Sequence, residues 1–111
     1  MSLVTTHVLD TARGLPAAGV MVRLEHITEH GLAEIAQGQT DDDGRVTNLG
    51  PEQLPAGPYR LVFDTAGYLA GEGGPAPFFP EVVITFTIGG APHYHVPLLL
   101  SPFGYTTYRG S

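Results

Sequence analysis

The 111-residue sequence has no cysteine, no tryptophan and no lysine. Without cysteine there is no disulfide framework and no thiolate nucleophile, so stability must come from packing alone. Without lysine, the five cationic side chains are all arginines, set against eleven acidic residues for a net charge of −6. A surface of that sign does not neutralise a row of phosphates, and nucleic acid is not an expected partner. Long apolar runs are also missing: nothing approaches the ~20 residues that cross a bilayer, so no membrane partner is expected. The opening Met1-Ser2-Leu3-Val4-Thr5-Thr6-His7 lacks the basic start and continuous apolar stretch of a secretory signal. The expected compartment is therefore the cytoplasm, with the periplasm left open.

What remains is a composition for one packed core. Hydrophobic residues make up 42% and charged residues 14%, which predicts a single folded domain over residues 1–111 with no linker. Fifteen glycines and ten prolines punctuate short runs rich in β-branched and aromatic residues, the pattern of an all-β chain. Leu3 to Leu9 alternates as a strand with Leu3, Thr5, His7 and Leu9 on one face. Gly19 to Ile27 and Leu32 to Thr40 follow, then a tight turn at Asp41-Asp42-Asp43-Gly44 and a short strand from Arg45 to Leu49. Tyr59 to Phe63 is a further strand, after which Asp64-Thr65-Ala66 caps one helical turn reaching Leu69 or Ala70. A glycine- and proline-rich loop from Gly71 to Pro80 precedes Val82 to Ile88, a strand dense enough in apolar residues to be expected buried on both faces. His93 to Leu100 and Tyr105 to Tyr108 complete the set, with Pro97 expected where no ladder donor is needed. The fold class predicted is an all-β, antiparallel two-sheet sandwich of about seven or eight strands with one short helix.

Five histidines in so short a chain direct attention to acid–base or metal chemistry. His26 and His30 flank a glycine-bounded turn and read as solvated loop residues without a role. His93 and His95, two apart on a strand, face the same way, as metal ligands in β proteins do; His7 or Asp10 would supply a third ligand for zinc. His7 itself, on a face with Leu3 and Leu9, reads from pattern alone as a hydrogen-bonded core residue. The acidic triplet before Gly44 lacks the alternate ligand spacing and distant glutamate of a calcium loop and reads as a hairpin turn. Arg45 follows it either as a solvated charge or as a planar donor fork for a carbonyl-rich ligand. No Gly-x-Ser-x-Gly elbow, phosphate-cradling glycine loop or His-Glu-x-x-His helix occurs.

The two ends of the chain are more specific. Thr6-His7-Val8-Leu9-Asp10, and the stretch from His93-Tyr94-His95-Val96-Pro97 through Leu98-Leu99-Leu100-Ser101-Pro102 to Tyr108-Arg109-Gly110-Ser111, resemble the transthyretin-like 5-hydroxyisourate hydrolases. Between them, Asp43-Gly44-Arg45, Tyr59-Arg60-Leu61-Val62-Phe63-Asp64-Thr65 and Phe78-Phe79-Pro80-Glu81 match that family in order and spacing, so the resemblance covers essentially the whole chain. Hormone-carrying transthyretins share the sandwich but lack the Tyr-Arg-Gly-Ser ending.

The resemblance implies an enzyme of urate breakdown that converts 5-hydroxyisourate to 2-oxo-4-hydroxy-4-carboxy-5-ureidoimidazoline without metal or organic cofactor. It places the catalytic set on His7, Arg45 and His95, with Arg45, Tyr108 and Ser111 contacting substrate and Arg109 beside them; the terminal carboxylate of Ser111 is expected to accept hydrogen bonds. His93 falls outside that set, as a support behind it. The family's homotetramer, with sites where dimers meet, is the expected assembly. Two rival readings remain: a small-ligand carrier on the same fold, and a metal-dependent hydrolase using His7, His93 and His95.

Overall fold

The computed structural model describes residues 1–70 and 77–111 of the chain. Its strands are β1 (Val4–Asp10), β2 (Leu15–Pro16), β3 (Met21–Thr28), β4 (Gly31–Gln39), β5 (Arg45–Val46), β6 (Gly57–Phe63), β7 (Val82–Ile88), β8 (Tyr94–Ser101) and β9 (Gly104–Thr107), with helix α1 (Thr65–Ala70) between β6 and β7. One sheet runs β2-β1-β8-β9, with β5 also paired to β1, and the other runs β4-β3-β6-β7. The two-sheet sandwich expected from the sequence is therefore present; the strand expected from Arg45 to Leu49 forms only over Arg45–Val46, and one unexpected strand of two residues, Leu15–Pro16, is added. Of the predicted loop from Gly71 to Pro80, residues 71–76 lie outside the described residues.

Alternation builds the core. Val4 and Val8 from β1, with Val96, Leu98 and Leu100 from β8, pack against Val22, Leu24, Leu61, Phe63, Val82 and Ile88 of the facing sheet. Each such side chain taken out of water contributes roughly 1.5–3 kcal/mol, and together they hold the two layers face to face. Asp64 caps α1 by accepting the Gly67 amide at 2.9 Å. Among the described residues no helix is long and apolar enough to cross a membrane.

Three expectations need correction. The pairing is not wholly antiparallel: β1 and β8 run parallel over seven residue pairs, from Val4 opposite Tyr94 to Asp10 opposite Leu100. They lie far apart in sequence, and the chain between them visits the other sheet and returns, so no hairpin dictates their direction. β7 is not buried on both faces; it is a sheet edge, with Val83, Thr85 and Thr87 exposed on one side. His26 is no loop residue. It stands on β3 with its ring stacked on buried Tyr59, centroids 4.2 Å apart, while His30 occupies the exposed turn that follows.

Pro97 sits in the middle of β8, and its missing N–H is accommodated by a gap. The β8–β9 ladder begins at Leu98 opposite Thr107, and the chain returns to β8 only at a single bridge between His95 and Gly110. Between those two points β8 is not asked for a donor.

The turn before β5 is held from both sides. Asp41 accepts the amides of Asp43 and Arg45, each at 2.9 Å, through one carboxylate oxygen, and its carbonyl accepts the Gly44 amide. Gly44 in turn presents its carbonyl to the Val8 amide at 2.7 Å, which locks the turn against β1. Its φ is +76°, and a Cβ there would lie 2.4 Å from the Val8 carbonyl oxygen. Gly44→Ala is therefore expected to lower the unfolding free energy by more than the ~1–2 kcal/mol of a left-handed alanine. Urea denaturation checks this; an unchanged midpoint would show that the turn relaxes freely.

Candidate active site

The odd-numbered residues of β1 point away from the core, so the sheet containing β1 turns Thr5, His7 and Leu9 to its outer face, with His95 and Leu99 from β8. His7 is thus half-buried on the outside of the sandwich, where the sequence pattern alone read it as a core residue. The face carrying His7 and Leu9 proves to be the outer one, while Leu3, just before the strand begins, is buried in the core.

Register then gathers residues that are distant in the chain. Thr5 lies opposite His95 across the parallel pair, and His7 lies opposite Arg45 across the β1–β5 pair. The Asp41–Gly44 turn that delivers Arg45 also engages His7 directly, whose Nε2–H donates to the Asp43 carbonyl at 2.9 Å. A carbonyl can only accept, so neutral His7 carries its proton on Nε2 and keeps Nδ1 as its basic nitrogen. Arg45, Thr5, His93, His95, Thr47 and Ser111 line a cleft of about 180 Å³.

The cleft's electrostatics favour a neutral imidazole. Burial, followed by the neighbouring Arg45 guanidinium and the His7 and His93 rings, lowers the pKa of His95 below the ordinary histidine value. His95 therefore remains an unprotonated base at acidities where a solvated histidine is charged. The Thr5 hydroxyl, on a residue only 4% exposed, bonds both Nδ1 of His95 at 2.8 Å and Nε2 of His93 at 3.0 Å. Among the described residues no three His, Asp or Glu side chains gather in a geometry that would hold an ion.

The C-terminal stretch completes one wall. The Gly110 amide donates to the His95 carbonyl at 2.8 Å, and a Cβ at position 110 would come within 2.5 Å of Cδ2 of His95. Only glycine lets the backbone cross this ring so closely. Tyr108 and Arg109 lie on the other side of His95, in a more apolar groove of about 320 Å³ shared with Ile84, Phe86 and Val96. Arg109 stacks its guanidinium over the Tyr94 ring, 5.0 Å from the centroid, and Tyr108 is exposed. The structure thus brings Arg45, His95 and Ser111 into one cleft, sets His7 opposite Arg45 but outside the cleft lining, and places Tyr108 in the adjoining groove. Sequence reasoning gave no role to Thr5, although the alternation in β1 already put it on the His7 face, and counted Gly110 only within the Tyr108–Ser111 wall.

A two-sheet sandwich with a histidine- and arginine-lined cleft on an outer sheet face defines the class of protein. Residues 4–110 match the HIUase/Transthyretin family, and the chain belongs to it. A mouse (Mus musculus) relative named 5-hydroxyisourate hydrolase is 47% identical over 114 aligned residues, covering 99% of this chain and 96% of the relative. The structure of Klebsiella pneumoniae 5-hydroxyisourate hydrolase superimposes with a TM-score of 0.86 at 38% identity, over 99% of this chain and all of that one. Sea bream transthyretin in complex with thyroxine gives a TM-score of 0.90, also at 38% identity, over 97% of this chain and 94% of that one.

In an NMR titration, His95 is expected to gain its proton at lower pH than a free imidazole. Arg45→Gln removes the guanidinium's repulsion of the imidazolium and should move that titration upward. A His95 titration indifferent to Arg45 would place the guanidinium too far away to act on it.

Proposed function

We infer that this chain is a 5-hydroxyisourate hydrolase acting in purine breakdown. The observation that carries the reading is the convergence of His7, Arg45 and His95 on one sheet face beside Ser111, in a chain whose full-length relative bears that name. The carrier alternative draws on the sea bream neighbour, but a neutral, base-competent imidazole next to a guanidinium is an arrangement for moving protons and stabilising an oxyanion.

The chemistry follows from the residue types. An unprotonated imidazole nitrogen of the His7–His95 pair takes a proton from water, whose oxygen adds to a carbonyl carbon of the six-membered ring. Arg45 donates hydrogen bonds to the oxygen that becomes negative. As the tetrahedral adduct collapses, the ring C–N bond breaks and the departing nitrogen takes the proton back from the imidazolium. The acyl half becomes a carboxyl and the nitrogen half a ureido group, which are the two new substituents of 2-oxo-4-hydroxy-4-carboxy-5-ureidoimidazoline. Ser111 lines the cleft and is assigned to hold the heterocycle, with Tyr108 shaping the approach from the adjoining groove.

The reading extends to a homotetramer with sites shared between chains. Three features support it. The site lies on an open sheet face together with Leu9 and Leu99; among the described residues β7 and β9 stand at sheet edges; and the single-chain cleft of about 180 Å³ is smaller than the ~300 Å³ of a typical small-molecule site, as one wall of a shared site would be.

Incubation with freshly generated 5-hydroxyisourate, followed by loss of its ultraviolet absorbance, is expected to show decay well above the uncatalysed rate; decay at the blank rate would leave the carrier reading. His7→Ala and His95→Ala should each lower kcat by ~10²–10⁴-fold. Arg45→Lys should also fail, because an ammonium lacks the two-pronged donor geometry. Sedimentation should give four times the 11.8 kDa chain mass, and a monomer would sink the shared-site arrangement.

A further inference from the structure

The neighbourhood of His95 contains an element that the reaction as described does not use. His93, just before β8, and His95 on it turn their rings toward the same hydroxyl, nearly parallel at 14° and with centroids separated by 6.4 Å. The Thr5 hydroxyl bridges them, in register opposite His95. A hydroxyl has one proton, so it cannot donate to both rings. Nor does accepting from both leave it satisfied, since Thr5 is almost fully buried and its proton would then have no acceptor. Two arrangements remain: the hydroxyl donates to one histidine and accepts from the other.

We propose that Thr5 is the positioning residue that sets the tautomer of His95, accepting a hydrogen bond from its Nδ1–H and passing its own proton to Nε2 of His93. The direction follows from the cleft. With Nδ1 bonded to Thr5, Nε2 is the nitrogen left to His95 for a ligand, and Arg45 lines the same cleft. A ring nitrogen sharing a cleft with a guanidinium is better placed as a lone pair than as a second N–H donor. This polarity also makes His95 a base, so the proposal deepens the hydrolase reading and rests on it. His93 then acts as the terminal acceptor: neutral, protonated on Nδ1, with Nε2 turned to Thr5. The charged and titratable groups around the pair are Arg45 from β5, His7 from β1 and the two chain ends, the amino terminus at Met1 and the carboxylate of Ser111, both of which also line the cleft.

Two consequences are specific. Removing the hydroxyl without changing the shape of the side chain frees Nδ1 of His95 from its acceptor. Removing the acceptor on His93 leaves Thr5 only His95 to donate to, which reverses the bridge and moves the His95 proton to Nε2. A residue outside the cleft chemistry would thus silence the base by changing where one proton sits.

The test is ¹⁵N-histidine NMR on the substrate-free protein at a pH where His95 is neutral, using long-range proton–nitrogen correlations to distinguish the tautomers. Wild type should show His95 protonated on Nδ1. Thr5→Val and His93→Leu should each shift it toward the Nε2–H form, and Thr5→Ser should restore the wild-type pattern. In kinetics, Thr5→Val and His93→Leu should reduce kcat at least ten-fold with KM within about two-fold, and Thr5→Ser should recover most of the loss. A wild-type His95 protonated on Nε2, or a tautomer indifferent to both Thr5→Val and His93→Leu, overturns the proposal. Because the spectra need no substrate, a protein with the expected tautomer but no hydrolysis would refute the function and leave the bridge standing.

Discussion

The parallel register between the first strand and the eighth holds the site together. Seven residue pairs fix Thr5 opposite His95, and the antiparallel β1–β5 contact fixes His7 opposite Arg45. β1 is thus a ruler against which both partners are placed. A slip of one residue on either side would send His95 or Arg45 into the core face, because strand side chains alternate with a period of two. The same alternation that buries Val4 and Val8 therefore keeps the polar set outside. Hydrophobic packing thus specifies where the imidazoles stand.

Much of the fold was legible from local pattern. The Asp41–Gly44 turn, the Asp64 cap and the alternation of β1, β3 and β6 each depend on residues adjacent in sequence, and each formed as the residue types require. What local pattern could not reveal was which strand neighbours which. Val82–Ile88 carries enough β-branched residues for a central strand yet forms an edge. Likewise, the direction of β8 relative to β1 is set by the long path between them. His26 was misplaced for a related reason: its stacking partner, Tyr59, is more than thirty residues away.

The candidate site was less legible still. Spacing alone made His7 a core residue and left Arg45 undecided between a solvated charge and a ligand; only the likeness to a known family singled them out together. Thr5 escaped notice because threonine in a strand is ordinary, and its significance lies in two hydrogen bonds to residues almost ninety positions later. Gly110 was likewise quoted only as part of a motif. Its reason is steric, since a side chain there would collide with the His95 ring.

The interruption at Pro97 separates two tasks that sheets usually combine. Between the last β9 pair and the lone bridge at Gly110, Tyr108 and Arg109 belong to neither ladder. Their side chains can change without shifting a backbone bond in the sandwich, while the bridge keeps the chain seated over His95. Such a segment lets side chains vary at little cost to the sheets, on a fold that this chain shares with both a hydrolase from Klebsiella and a thyroxine-bound protein from sea bream.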